Sequence, residues 1–80
     1  MDKNVVVTGG CGFIGSHLTE LLLNEGYFIN VIDNLAGGNL KNLSKFRDNP
    51  KLKIWNEDIR NLKPGHIAFK NAKYVFHLAG

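Results

Sequence analysis

The sequence has little of what marks secreted and membrane proteins. One cysteine in 80 residues cannot form an internal disulfide, which excludes a disulfide-stapled secreted module. Only three apolar residues, Val5–Val7, lie between Asn4 and Thr8, too few for the apolar region of a signal peptide. Apolar runs such as Val5–Val7 and Leu21–Leu23 are far shorter than the roughly 20 residues that span a bilayer. We therefore expect a cytoplasmic protein with no membrane partner.

Size and charge narrow the class further. With 44% hydrophobic residues, the 80-residue chain has enough apolar side chains for one core and too few for two domains. Residues 1–40 hold one basic residue against four acidic ones, whereas residues 41–80 hold nine against three. The basic residues at 41–53 are not interleaved with aromatic residues that could stack on nucleobases. We interpret them as a solvated surface and predict no nucleic-acid partner.

The first half of the chain has the pattern of a strand, a helix and a second strand. Residues 4–8 are a β-branched run that ends in glycines, typical of a strand buried on both faces. Gly26 predicts the end of the helix, and residues 28–33 predict the second strand. A helical crossover makes the two strands parallel neighbours. Four apolar residues at helical spacing predict the buried stripe of the helix: Ile14, Leu18, Leu21 and Leu22.

The second half predicts two more strands. Its expected elements are a loop over 34–39, a short helix with apolar residues at 40, 43 and 46, a strand over 51–56, a brief helix over 67–70 and a strand over 74–79. The alternating order predicts an α/β fold, the N-terminal part of a Rossmann-type doubly wound parallel sheet, as one partial domain over 1–80. Because such sheets usually continue, we expect truncation after the fourth strand, which then forms an exposed apolar edge.

A glycine-rich loop joins the first strand to the helix. It matches G-x-G-x-x-G at 10, 12 and 15, and also T-G-x-x-G-x-x-G from Thr8, which uses Gly9, Gly12 and Gly15. In both alignments the glycines allow a tight turn, close approach of the backbone to a pyrophosphate, and close helix–strand packing. The phosphates would lie at the helix N-terminus, where unpaired N–H groups and the macrodipole attract anions. The loop therefore predicts dinucleotide binding.

An acidic residue lies at the C-terminal end of the second predicted strand, as this kind of site requires. Asp33 lies 18 residues after Gly15, close to the roughly 20-residue separation at which a carboxylate accepts hydrogen bonds from the adenosine ribose. A carboxylate at this place repels a 2′-phosphate, and the next residue is Asn34 rather than arginine. The sequence thus favours NAD over NADP, although Lys41 or Lys45 could fold back toward a 2′-phosphate.

Four segments then carry a family resemblance: 6–18, 31–35, 57–60 and 75–80. Together they resemble the N-terminal half of the extended short-chain dehydrogenases/reductases, of the NAD-dependent nucleotide-sugar epimerase and dehydratase type, particularly the UDP-glucose 4-epimerases. The resemblance implies backbone contacts of Phe13 and Ile14 with the cofactor phosphates. It further implies that Asp33 and Asn34 contact the adenosine ribose and that Asp58 and Ile59 contact the adenine. Leu78, Ala79 and Gly80 would pass beneath the cofactor.

The resemblance also implies a chemistry whose catalytic residues lie outside these 80 residues. The family uses a Tyr-x-x-x-Lys pair, but Tyr27 and Tyr74 have Val31 and Leu78 four residues on, so we predict no catalytic residue. The complete enzyme is expected to transfer a hydride transiently from a nucleotide-sugar to bound NAD, giving a keto-sugar, and is compatible with a homodimer. Loop 36–43 resembles both epimerases and dehydratases.

Other classes of site and function stay open or are disfavoured. No pair among the three histidines has metal-ligand spacing, and Cys11 lacks a C-x-x-C partner, so we predict no metal. His17 and His77 are interpreted as packing residues with one satisfied nitrogen.

A nucleotide-sugar dehydratase or another NAD(P)-dependent sugar-nucleotide enzyme is one alternative to an epimerase. A non-catalytic dinucleotide-binding module is the other.

Overall fold

The computed structural model describes residues 3–34, 40–46, 48–58, 60 and 65–78. In chain order the elements are β1 (Asn4–Thr8), α1 (Phe13–Asn24), β2 (Phe28–Ile32), a first 3-10 helix (Leu40–Phe46), β3 (Leu52–Trp55), a second 3-10 helix (Ile67–Phe69) and β4 (Ala72–His77). This is the alternating α/β order that the sequence predicts. The expected loop residues 35–39, and Ile59, Ala79 and Gly80, lie outside the described residues.

The four strands form one parallel sheet in the order β3-β2-β1-β4. β1 therefore lies between β2 and β4, and the chain builds outward from it in both directions. The order reverses between β1 and β4, which is where doubly wound sheets form their ligand crevice. This confirms the Rossmann-type topology.

The sheet is packed on both faces. The three central residues of β1, Val5–Val7, are completely buried, as a two-sided core requires. On one face, Val5 and Val7 pack with α1 and the first 3-10 helix, whose Leu43 is also completely buried. On the other face, Val6 packs with Ile32 and with Ala68 of the second 3-10 helix. β1 is thus the rigid centre from which the candidate site projects.

Helix α1 ends where the sequence predicts, by a specific hydrogen-bonded motif. Gly26 has φ +87°, a conformation that glycine adopts without steric cost. Its N–H donates to the carbonyl of Leu23 at 3.0 Å, and the N–H of Tyr27 donates to that of Leu22 at 3.1 Å. This is the Schellman arrangement, which satisfies the last carbonyls of the helix.

The predicted buried stripe of α1 is wrong in two positions. Ile14 and Leu21 are 71% and 59% exposed. The buried residues of the helix are instead Gly15, Ser16, Thr19, Leu22 and Leu23. The buried face is rotated by about one residue because the helix lies so close to the glycine-rich loop that only small side chains fit at its N-terminal contact.

Strand β4 begins and ends two residues earlier than predicted. Asn71, with φ +60°, turns the chain into the strand, and Ala72 already pairs with Asn4 of β1. Hydropathy alone places the start at Tyr74, because Lys73 is polar and lies at an irregularity of the register between the Ala72–Asn4 and Tyr74–Val5 pairs. Tyr74 and Val75 are 47% and 52% exposed, so β4 forms the expected apolar edge. None of the helices within the described ranges is long and apolar enough to cross a membrane.

Candidate dinucleotide-binding site

The carboxyl ends of all four strands meet at one edge of the sheet, because the strands are parallel. The residues that follow the strands include the sequence-predicted ones: Gly9 after β1, Asp33 and Asn34 after β2, Asp58 after β3 and Leu78 after β4. The fold therefore brings together every predicted site residue that lies within the described ranges. Tyr27, in contrast, precedes β2 and lies at the opposite edge of the sheet.

The glycine-rich loop is a hydrogen-bonded turn that leads directly into α1. Gly9 has φ +75° and donates its N–H to the carbonyl of Ile32 at 2.8 Å, which ties the loop to the end of β2. Gly12 donates to the carbonyl of Gly9 at 3.1 Å. Gly12 is the N-cap of α1, and its own carbonyl accepts the first helical bond from Ser16 at 2.8 Å. The backbone of the loop is thus fixed before any ligand binds.

Gly15 is the position where the helix comes closest to the loop. A Cβ built at Gly15 would overlap the carbonyl oxygen of Gly9 and would lie 2.8 Å from the Cα of Gly10. A Cβ at Gly12 would lie 3.4 Å from the carbonyl oxygen of Gly9, which is an ordinary van der Waals contact. The protein itself therefore requires glycine at 15, whereas the need for glycine at 12 is not set by the protein's own packing.

The N-terminus of α1 has the properties of an anion site. No side chain caps it, and its first turn contains no acidic residue. The N–H groups of Phe13, Ile14 and Gly15 have no intrahelical acceptor, because helix geometry leaves the first amides unpaired. The side chains of Phe13 and Ile14 are 77% and 71% exposed, so their predicted contribution is through the backbone. An anion at this position would gain hydrogen bonds and the favourable end of the helix dipole.

Asp33 joins this loop to the end of β2. Its side chain is only 8% exposed, and its Oδ2 accepts a hydrogen bond from the N–H of Cys11 at 2.9 Å. Its own N–H donates to the carbonyl of Trp55 at the end of β3, at 3.0 Å. A carboxylate held in this way has a fixed direction relative to the helix N-terminus, as recognition of a sugar next to a phosphate requires.

Cys11, whose N–H bonds to Asp33, has an unreactive thiol. It is completely buried beside Val31 and Leu43 in the core on the α1 face. Burial, and secondarily the negative charge of Asp33, raise the pKa of the thiol to about 11. The protonated thiol is a poor nucleophile, so the contribution of Cys11 in this structure is packing in the core.

Asn34 and Asp58 form the outer part of the site. The side chain of Asn34 is exposed after β2 and hydrogen-bonds the Asp58 carboxyl, which follows β3. Asp58 also accepts from the backbone N–H of Arg60 at 2.9 Å and from its guanidinium at 2.6 Å. These bonds from Arg60, together with its charge, lower the pKa of Asp58 to about 2. The two predicted adenosine-binding positions are therefore adjacent.

The end of β4 is tied to the end of β1. The N–H of Leu78 donates to both the carbonyl and the hydroxyl of Thr8, at 3.0 and 3.1 Å. The Thr8 hydroxyl also lies 2.8 Å from the Nδ1 of His77. His77 is exposed, so it acts as a hydrogen-bonding partner of Thr8 rather than as a buried packing residue. These contacts hold Leu78 at the carboxyl end of β1.

Sequence reasoning did not identify two of these contacts. Thr8 belongs to the glycine motif, but a single sequence does not indicate that its hydroxyl reaches His77, 69 residues later. Asn42 was not identified at all, although its Nδ2 donates to the carbonyl of Cys11 at 2.7 Å. Its place immediately before the buried Leu43 was the available signal, since a buried neighbour holds a polar side chain close to the core surface.

Comparison with known proteins identifies relatives of this fold and site. The family model described as GDP-mannose 4,6 dehydratase matches residues 6–80. A bifunctional UDP-glucose 4-epimerase and UDP-xylose 4-epimerase of Arabidopsis thaliana is 34% identical over all of this chain and 25% of its own length.

Two solved structures are also similar to the chain. The UDP-N-acetylglucosamine 4-epimerase from Methanobrevibacter ruminantium, in complex with UDP-N-acetylmuramic acid, has a TM-score of 0.86 and 44% identity over 99% of this chain and 24% of its own. The dTDP-glucose 4,6-dehydratase from Bacillus anthracis, in complex with NAD, has a TM-score of 0.88 and 32% identity over 96% of this chain and 26% of its own. The chain thus spans about a quarter of the length of these relatives.

Proposed function

Because this chain belongs to the GDP-mannose 4,6 dehydratase family, within the NAD-dependent nucleotide-sugar epimerases and dehydratases, we propose that residues 1–80 form part of an NAD-binding domain. The observation that carries the proposal is the buried Asp33 carboxylate, hydrogen-bonded to the backbone of Cys11 in the loop that opens α1. A buried carboxylate beside an uncapped helix N-terminus is suited to bind the ribose next to a diphosphate.

The residues present fit the cofactor. The unpaired amides of Phe13 and Ile14 are suited to the diphosphate, and Asp33 is suited to the hydroxyls of the adenosine ribose. The Asn34–Asp58 pair offers polar atoms next to that ribose. By the family resemblance, Leu78, whose N–H is bonded to Thr8 at the end of β1, would lie below the diphosphate. When bound, NAD supplies a hydride acceptor that takes the hydride from the sugar and returns it.

The geometry supports NAD rather than NADP. The carboxylate of Asp33 would repel a 2′-phosphate on the ribose it binds. Of the two lysines that could compensate, Lys45 forms an ion pair with Glu20 of α1 at 3.4 Å, on the outer side of the helix. Asn34 adds no positive charge. We therefore expect NAD to bind at least tenfold more tightly than NADP.

For the complete enzyme we propose a nucleotide-sugar 4-epimerase that acts by transient hydride transfer. The higher identity to the Methanobrevibacter epimerase, 44% against 32% for the Bacillus dehydratase, supports epimerisation over dehydration. UDP-sugars are the corresponding substrate class, because the epimerase relatives are named for them. The catalytic groups are expected in the three quarters of the relatives' length that this chain does not span.

Two measurements on the protein at its full natural length test these proposals. Isothermal titration calorimetry with NAD and NADP tests cofactor binding, and absence of NAD binding would overturn the proposed site. Incubation with UDP-glucose, followed by chromatographic separation of UDP-galactose from a 4-keto-6-deoxy product, distinguishes an epimerase from a dehydratase. NAD binding with no turnover of any nucleotide-sugar would instead support the non-catalytic dinucleotide-binding module.

A further inference from the structure

The peptide groups on either side of Cys11 are held by side chains from two different parts of the chain. The N–H of Cys11 donates to Asp33 at the end of β2. Its carbonyl accepts from the Nδ2 of Asn42, in the first 3-10 helix, at 2.7 Å. The shorter of these two bonds belongs to Asn42, a residue to which neither the sequence motif nor the family resemblance assigns a role.

Asn42 is itself held firmly. The adjacent Leu43 is completely buried in the core on the α1 face. Two residues further on, Lys45 forms an ion pair with Glu20 of α1. The 3-10 helix is thus anchored by an apolar contact and bridged to α1 by a charged one. The Asn42 amide therefore approaches the loop from a fixed support.

The bond from Asn42 acts on the peptide unit that precedes the proposed phosphate cradle. The carbonyl of Cys11 and the N–H of Gly12 belong to one planar peptide group. That N–H donates to the carbonyl of Gly9 at 3.1 Å, so the group is held at both ends. The next amide along the chain is that of Phe13, the first of the unpaired helix amides. Only the φ and ψ of Gly12 separate the Cys11–Gly12 peptide from the Phe13 amide, so holding that peptide restricts the directions in which the amide points.

We propose that Asn42 is a positioning residue for diphosphate binding, which rests on the proposed NAD-binding function. It holds the Cys11–Gly12 peptide so that the amides at the start of α1 face the diphosphate before NAD arrives. Asn42 touches neither the phosphates nor the sugar, so its effect is confined to ligands that carry the diphosphate. Adenosine, which lacks the diphosphate, is recognised through Asp33 and does not depend on Asn42.

The test compares three ligands on the full-length protein and its Asn42→Ala and Asn42→Asp variants. Calorimetry measures NAD and ADP, and ligand-observed NMR measures the weaker adenosine. We expect Asn42→Ala to weaken NAD and ADP about fivefold, as for loss of one hydrogen bond. Asn42→Asp should weaken both more, because a carboxylate would face the Cys11 carbonyl. Adenosine affinity should stay within error of wild type, and the thermal unfolding temperature should fall by only a few degrees, as for the loss of about one hydrogen bond.

A matched control is Ser44→Ala in the same 3-10 helix, which removes a local bond from the Ser44 hydroxyl to the Lys41 carbonyl and should leave all three affinities unchanged. Wild-type affinity of Asn42→Ala for NAD would overturn the inference. Equal loss for all three ligands with a more strongly lowered unfolding temperature would also overturn it, because Asn42 would then be structural. If wild-type protein binds no NAD, the proposed function itself fails, which is a different result.

Discussion

The inner strands and the outer strands of the sheet differ sharply in burial. In β1 and β2, the residues Val5–Val7, Ile29 and Val31 are at most 1% exposed. In β3 no residue is fully buried, and in β4 Tyr74 and Val75 are about half exposed. Within these 80 residues the difference follows from the strand order, because β1 and β2 each have a neighbouring strand on both sides and pack against α1.

The candidate site likewise has one portion on the inner strands and one on the outer strands. Its phosphate and ribose portion, the glycine-rich loop and Asp33, extends from the buried inner strands. Its outer portion, Asp58 and Leu78, extends from the half-exposed outer strands. We define the inner unit as β1, β2, the glycine-rich loop and Asp33. We infer that stability and dinucleotide affinity both depend mainly on this inner unit. The predictions below test this difference, beginning with the largest expected effect.

Gly15→Ala should destabilise the protein most, by about 3 kcal/mol or more, because the new Cβ would overlap the backbone of Gly9. NAD binding should be lost with it, since the helix N-terminus must move. The matched variant Gly12→Ala meets only an ordinary contact and should cost about 1 kcal/mol or less. Urea denaturation of both variants measures the difference. Equal stability of the two would contradict the close packing described for Gly15.

Ile29→Ala and Ile54→Ala make the same chemical change in an inner and an outer strand. Ile29 is 1% exposed, whereas Ile54 is half-buried, and both contact the core on the α1 face. We expect a loss of about 3 kcal/mol for Ile29→Ala and about half of that for Ile54→Ala. The free energy of unfolding from urea titration checks this. A loss at Ile54 as large as that at Ile29 would show that the outer strand is part of the same rigid core.

Asp33→Asn and Asp58→Asn compare the two portions of the site. Asp33→Asn should raise the Kd for NAD about 10- to 100-fold, because a charged acceptor for the ribose hydroxyls is lost. It should also reduce the preference for NAD over NADP. Asp58→Asn should raise the Kd less than about fivefold, since Arg60 already occupies that carboxylate. Calorimetry with both cofactors decides, and an equal or larger effect at Asp58 would place the main determinant on β3.

Local sequence patterns predicted the bounds of the inner elements better than they predicted which side chains those elements bury. The bounds of β1 and the stop at Gly26 follow from side-chain branching and glycine conformation, which are local properties. The exposure of Ile14 was not predictable from helical spacing, because the closeness of α1 to Gly9 sets which face is buried. Periodicity gives the width of an apolar stripe, but tertiary contact decides which way it turns.

For the site, the sequence predicted the residues of the motif but not those that hold the motif in place. The spacing of Gly15 and Asp33 is close to that of known dinucleotide-binding motifs. The bond from Asn42 to Cys11 spans 31 residues, and the contact between Thr8 and His77 spans 69. Such pairs meet only after the sheet has assembled, and neither side chain is distinctive by type. Residues that support a site through such long-range contacts can therefore be identified only once the fold is known.

The last prediction concerns the pH dependence of the inner unit. In the folded protein the Cys11 thiol has its pKa raised from 9.0 to about 11, by burial first and by Asp33 second. Between pH 9 and 11 the unfolded chain loses this proton while the folded protein keeps it. Stability from this group is therefore fully present below pH 9 and falls as the pH rises, by up to about 1.4 kcal/mol per pH unit.

Cys11→Ala isolates this contribution, since lysines and tyrosines that titrate in the same range are retained in the variant. The alanine protein should be less stable at pH 7, because the core loses the sulfur atom, yet its free energy of unfolding should decline less steeply from pH 9 to 11. Urea titrations at four pH values measure both slopes. Parallel slopes would mean that the thiol ionises as readily in the folded protein as in the unfolded chain. The loop around Cys11 would then be open to water, and the inner portion of the site would be no more rigid than the outer one.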